Sequence, residues 1–241
     1  MGMAVAEQTT SNRANMTDQN PQNTENEIVI EKAKGFWDRY GRRLSMGLAG
    51  LAVIVGALFA YRNLVQIPNE EKAQEEMYRA EENFRKDSLA LALNGDATTP
   101  GFLKVIKKYG GTPSGNAAKL YAGICHLHLG EYQKAIDQLE GFNPNGARQL
   151  QAKREGLLGD AYSELKKNEK AVEHYKKAAG IFTDDAALSS EYLFRAALLL
   201  ELSGKNKEAA EAFRRLKEDF PRTEKGFLAD KYLARLGDLG K

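Results

Sequence analysis

Cysteine is almost absent from this chain: Cys125 stands alone. A single thiol cannot close an intramolecular disulfide, and its apolar helical setting predicts a small buried core residue. Histidine is scarce too, with only His126, His128 and His174. His126 and His128 lie two apart on a helix, point to nearly opposite sides and cannot share a metal. His174 lies beside an aromatic position and reads as a surface residue. An excess of one charge is also missing. Lys+Arg number 35 against 33 Asp+Glu, a net charge of +2, so there is no electrostatic footprint for nucleic acid. The sequence has no HExxH, no CxxC, no G-x-S-x-G and no Walker A loop, because Gly204-Lys205 lacks the earlier glycine. Glu75-Glu76 and Glu81-Glu82 are neighbours on a solvated helix, not facing catalytic acids. These absences argue against an enzyme and against a metal, a cofactor or a small-molecule substrate.

The 241 residues suffice for one or two domains. Residues 1–26 are rich in Gln, Asn, Thr and Ser and cannot bury enough surface to offset the entropy of ordering them. The expectation is a disordered tail over residues 1–30, then a basic juxtamembrane segment, 31–43. Residues 44–61 (LSMGLAGLAVIVGALFAY) carry no charge. As a helix they span roughly 27 Å, close to the hydrocarbon thickness of a bilayer. The run is apolar all round, and Arg42, Arg43 and Arg62 bracket it, with Trp37, Tyr40 and Tyr61 near its ends. A single transmembrane helix is expected over 44–61. The stretch before it is too long for the n-region of a signal peptide, and no A-x-A-like site follows it, so it should remain as an anchor.

Orientation follows from flanking charge. Lys32, Lys34, Arg39, Arg42 and Arg43 precede the run, and only Arg62 and Lys72 follow closely. The positive side stays cytoplasmic. The N-terminus is then inside and residues 68–241 are translocated, which in a bacterium means an inner-membrane protein with a periplasmic domain. Ala52, Gly56 and Ala60 recur every four residues and could let another membrane helix approach closely.

Residues 69–93 read as one helix, capped by Asn69, with Ala73, Met77, Ala80 and Phe84 in an apolar stripe. A short helix over 101–109 follows Pro100. Beyond it the chain is periodic. Gly123, Gly159 and Ala197 open the same pattern, followed three residues later by His126, Tyr162 and Leu200. Seven on come Gly130, Lys166 and Gly204; twelve on, Ala135, Ala171 and Ala209; sixteen on, Leu139, Tyr175 and Phe213. This resembles the tetratricopeptide (TPR) repeat, a pair of helices crossing where small residues remove bulk. The steps between copies exceed the consensus length. The extra residues fall at Asn143-Pro144-Asn145-Gly146 and Thr183-Asp184-Asp185.

The expected fold class is therefore all-α: one transmembrane helix, then a TPR α-solenoid of three to four hairpins. The repeats lie near 116–149, 152–185 and 190–223, with a degenerate first repeat over 69–115 and a closing helix, 223–236, capped by Thr223. In TPR arrays the first helix of each repeat lines the concave face. Here that face should include Leu120, Ile124 and Leu127, then Lys153, Asp160 and Ser163, then Glu191, Phe194, Leu198 and Glu201. Leu120 and Ile124 occupy places where carboxylate-clamp TPRs carry polar residues, so capture of an acidic peptide end is not expected. Either these apolar side chains meet a partner helix or unfolded client, or they pack against the array's own terminal helices.

The layout resembles the YfgM-like family of bacterial inner-membrane TPR proteins. The stretches that carry it are Glu31-Lys32-Ala33-Lys34-Gly35-Phe36-Trp37, Tyr192-Leu193-Phe194-Arg195-Ala196-Ala197 and Ala229-Asp230-Lys231-Tyr232-Leu233-Ala234. The resemblance implies an ancillary subunit of the Sec translocon, working beside a PpiD-type chaperone on newly translocated clients. The alternative is a periplasmic scaffold for outer-membrane or cell-envelope assembly.

Overall fold

A computed structural model describes residues 21–238; the first twenty residues, the greater part of the expected tail, lie outside it. Among the described residues the regular structure is entirely helical, apart from one isolated bridge, Gly95 to Pro100. The chain forms two units, one ending at Tyr61 and one starting at Arg62.

The first unit is a single helix, α1 (Pro21–Tyr61). It starts ten residues before the expected end of the disordered tail. Pro21 suits a first helical turn because its missing N–H has no intrahelical role there, and Gln and Glu propagate a helix well. Leu48, Leu51, Ile54, Val55, Leu58 and Phe59 are all exposed, and none of the apolar stretch is buried. By length and composition α1 is able to cross a membrane.

The second unit begins with a π-helical turn, Arg62–Gln66, followed by α2 (Ile67–Arg85) and α3 (Leu89–Asn94). The single helix expected over 69–93 is thus broken. Asp87 takes a positive φ of 57°, a conformation Asp tolerates better than most residues, and this turns the chain. Asn69 is not a cap, because the helix already runs through it from Ile67. Glu70 instead reaches a different helix. The segment continues through α4 (Phe102–Tyr109) to α5 (Pro113–His128). Glu70 accepts hydrogen bonds from the Ser114 N–H (3.0 Å) and hydroxyl (2.6 Å), while Thr112 accepts from the Gly115 N–H. Two orphan amides at the start of α5 are satisfied in this way. Burial opposes the Glu70 charge, but the Ser114 hydrogen bonds outweigh it and hold the carboxyl below its ordinary value. Met77, Ala80, Ala92, Leu93, Phe102 and Val105 form a small core against Ala118, Ala122 and Cys125 of α5.

Three hairpins follow: α5 with α6 (Tyr132–Gly141), α7 (Arg148–Glu164) with α8 (Asn168–Ile181), and α9 (Ala186–Leu202) with α10 (Asn206–Asp219). The chain then closes with α11 (Glu224–Arg235). The first helix of each hairpin begins three or four residues before the expected repeat start. Thr112 caps α5 ahead of Pro113, Asp185 caps α9 through the Leu188 N–H (2.9 Å), and Arg148 ties the start of α7 to the Ile181 carbonyl (2.8 Å). The small residues sit where helices cross. A Cβ on Gly123 would lie 2.7 Å from the Leu139 side chain, and one on Gly159 would lie 2.5 Å from the Tyr175 ring. Thr223 caps α11 as Thr112 caps α5, through the N–H of the third residue on, Gly226. In both turns a Cβ on that glycine would strike a backbone carbonyl, of Tyr109 or Phe220. The same turn is used at both ends of the array, and it explains why Gly115 and Gly226 carry no side chain.

Candidate functional site: the inner face of the helical array

The residues expected to line the concave face separate into two groups. At equivalent places in the three hairpins stand Leu120, Gly156 and Phe194, and all three are covered. Leu120 and Phe194 are each 7 % exposed and belong to the main core. The Tyr192 ring lies so close to Gly156 that a Cβ there would be 2.1 Å away. Phe194 packs edge-on against Tyr232 of α11, 5.1 Å between centroids, and against Phe213 at 6.0 Å. Tyr232 and Phe213 stack at 4.9 Å, and the Lys225 ammonium sits 5.1 Å above the Phe194 ring. Phe194 and Leu120 therefore act as core residues, not as free anchors. The array's own next helix occupies the space.

One turn further along, Ile124, Asp160 and Leu198 are equivalent, as are Leu127, Ser163 and Glu201; all six are half-buried. Ile124, Leu127 and Leu198 lean on the main core and keep part of their surface open. Lys153 is exposed. The structure brings Leu127, Asp160 and Ser163 into one cleft, together with His128, Tyr132, Glu164 and Tyr175. Leu202, at the end of α9, is 80 % exposed. It is equivalent to His128 and Glu164. Sequence reasoning missed this outer row, although the repeat spacing alone identifies it.

The polar members of the face are held by ion pairs between successive hairpins. Arg195 donates to Asp160 (2.6 Å) and to Glu191 (2.9 Å), and Lys225 approaches Glu191 at 3.5 Å. The Tyr175 hydroxyl donates to Asp160 at 2.7 Å, and burial together with that carboxylate pushes its phenol well up. Glu201 pairs with Arg235 of α11. Asp160, Glu191 and Glu201 thus latch α7 to α9 and α9 to α11. Glu164 is exposed, and its carboxylate raises the Tyr132 phenol.

His174 is not a free surface residue. Its Nδ1 lies 2.8 Å from the buried Glu155 carboxylate, and its ring stacks on Tyr162 at 5.2 Å. Arg154 bonds the other Glu155 oxygen at 2.6 Å. Burial alone would raise the Glu155 carboxyl, but hydrogen bonds from His174 and Arg154 overcome it and hold the group at about 2. His126 is buried as well, 2.5 Å from Glu131. Glu76, expected to be solvated, accepts from Lys108 (2.9 Å) and Tyr109 (3.2 Å). Burial raises the Cys125 thiol to about 11, which makes it a poor nucleophile. Among the described residues no group of three or more His, Cys, Asp or Glu is placed to hold a metal.

Two stretches match the tetratricopeptide repeat, residues 102–145 and residues 191–223. The chain carries TPR repeats. The matched stretches cover α4 to α6 and α9 to α10, and the hairpin between them has the same close crossing, Gly159 on Tyr175 as Gly123 is on Leu139. No curated protein is significantly similar to the chain. TPR repeats are a scaffold for protein–protein interaction.

Proposed function

We propose that this is a membrane-anchored adaptor. On this reading α1 holds the TPR array at the outer face of a bacterial inner membrane, where the array serves as an ancillary subunit of the Sec translocon beside a PpiD-type chaperone and newly translocated clients. The observation that carries the anchoring is the uncovered apolar helix with Arg42 and Arg43 before its uncharged run. The repeats support a protein partner, and the layout's likeness to the YfgM-like proteins supports the translocon. The inner-face row from Ile124 to Leu202 is the contact surface, and Ala52, Gly56 and Ala60 offer a close-packing stripe to another membrane helix. Gly56, the middle residue of the three, has open space around it.

The test has two parts. A reporter fused after Lys241 should be active only in the periplasm; activity in the cytoplasm would sink the orientation and the translocon role together. Crosslinking in intact cells should then join the array to Sec subunits or the chaperone. Crosslinks confined to outer-membrane assembly factors would replace this reading with the scaffold one.

A further inference from the structure

The segment of α1 before the apolar run has an uneven circumference. At 100° per residue, Ile30, Phe36, Trp37, Tyr40 and Leu44 fall within about a third of the helix surface. Phe36 and Trp37 are 56 % and 60 % exposed, so no described residue covers these rings. The aromatic rings are nonetheless ordered against the helix. Phe36 and Tyr40 pair at 5.2 Å between centroids, and the Trp37 indole lies over Gly41, where a Cβ would meet the ring at 3.2 Å. Lys32, Arg39 and Arg43 border the stripe on one side and Lys34 on the other, while Glu31, Asp38 and Arg42 fall on the opposite face. None of the four bordering cations has a carboxylate partner among the described residues.

We infer that residues 30–44 form a docking surface for anionic phospholipid. The aromatic stripe beds into the headgroup layer, and Lys32, Arg39 and Arg43 take the lipid phosphates. The inference rests on the reading that residues 44–61 span the membrane. The stripe is continuous with that run, which brings its Tyr40 and Leu44 end to the bilayer surface. Its chemistry matches that surface on two counts. Amphipathic aromatic rings prefer the water–hydrocarbon boundary, and cations flanking an apolar stripe, with acids turned away, fit negatively charged headgroups. Each cation near such a surface shifts the docked-to-free ratio roughly fivefold.

Trp37 is the chain's one tryptophan, so its fluorescence reports on this stripe alone. The full-length protein is reconstituted in vesicles of phosphatidylcholine, or of phosphatidylcholine with phosphatidylglycerol, each with and without brominated acyl chains. The protein should float with both kinds of vesicle. Trp37 emission should shift to the blue and be quenched by brominated lipid more strongly when phosphatidylglycerol is present. A Lys32→Gln, Arg39→Gln, Arg43→Gln variant should still float but lose the phosphatidylglycerol increment. The inference is overturned if Trp37 stays open to aqueous acrylamide in phosphatidylglycerol vesicles, or if the triple variant behaves like the parent. Shielding in native membranes but not in lipid vesicles overturns it in favour of a protein neighbour. Failure to float removes the spanning reading, and the inference with it.

Discussion

Two helices of this chain are similarly apolar and meet opposite fates. In α9, nine residues are buried, among them Leu193, Phe194, Ala196, Ala197 and Leu200. In the apolar run of α1 none is. The difference lies in what interrupts each run. Helix α9 carries Ser189, Ser190, Glu191, Arg195 and Glu201 among its apolar residues, and each has a partner: the Phe182 and Ala187 carbonyls for the serines, Asp160 and Lys225 for the Arg195–Glu191 pair, Arg235 for Glu201. These polar groups make sense only inside a protein, where neighbouring helices satisfy them. The run in α1 has charge only beyond its ends. Apolarity alone therefore does not separate a core helix from a spanning one; the positions of the polar residues do.

The largest expected effect comes from breaking the α1 side of this contrast. Arginine at the centre of a spanning helix costs ~2.5–3.5 kcal/mol. Replacing both Ile54 and Val55 with arginine should move the protein from the membrane to the soluble fraction on flotation, with the helical signal of the array intact. Next is the α9 side. Phe194→Ala should lower the unfolding free energy of the array by about 3–5 kcal/mol, the usual cost of emptying a buried aromatic site, as read by denaturant melts. A near-neutral result would mean that Phe194 is a surface anchor after all.

A smaller effect sharpens the account of buried charge. The Glu155 carboxyl is near 2 in the folded array, below its ordinary 4.5. The folded state therefore gains stability from the charged form above pH 4.5, at most about 3 kcal/mol, and loses it as pH falls toward 2. Glu155→Gln should flatten the stability-versus-pH curve in that window; an unchanged slope would show that the buried pair with His174 contributes nothing. The smallest effect belongs to the ion pair at the edge of the inner face. Breaking it with Glu201→Gln should cost no more than about 1 kcal/mol, because Arg235 is half exposed.

The repeats were legible because close crossings leave no choice of residue. Gly123, Gly159 and Ala197 are small for a steric reason that recurs, and the spacing exposes it. The inner face was only half legible. Repeat spacing tells which way Leu120 and Phe194 point, but not that the following helix reaches back over them, as Tyr232 does over Phe194. His174 and Glu76 were read as solvated because their partners, Glu155 and Lys108, are 19 and 32 residues away. The break at Asp87 was missed because the apolar stripe of α2 runs on to Phe84 and nothing in its period signals the positive φ that follows.

The central claim is that the array binds protein through the open row of its inner face. A photo-crosslinking side chain placed at Leu198 or Leu202, with the protein in its own membrane, tests it directly against the same group at Tyr78, an exposed position on α2, outside the three hairpins. The account predicts discrete adducts with a protein partner from Leu198 and Leu202 and none from Tyr78. Equal labelling at all three positions, or adducts from Tyr78 alone, would contradict it.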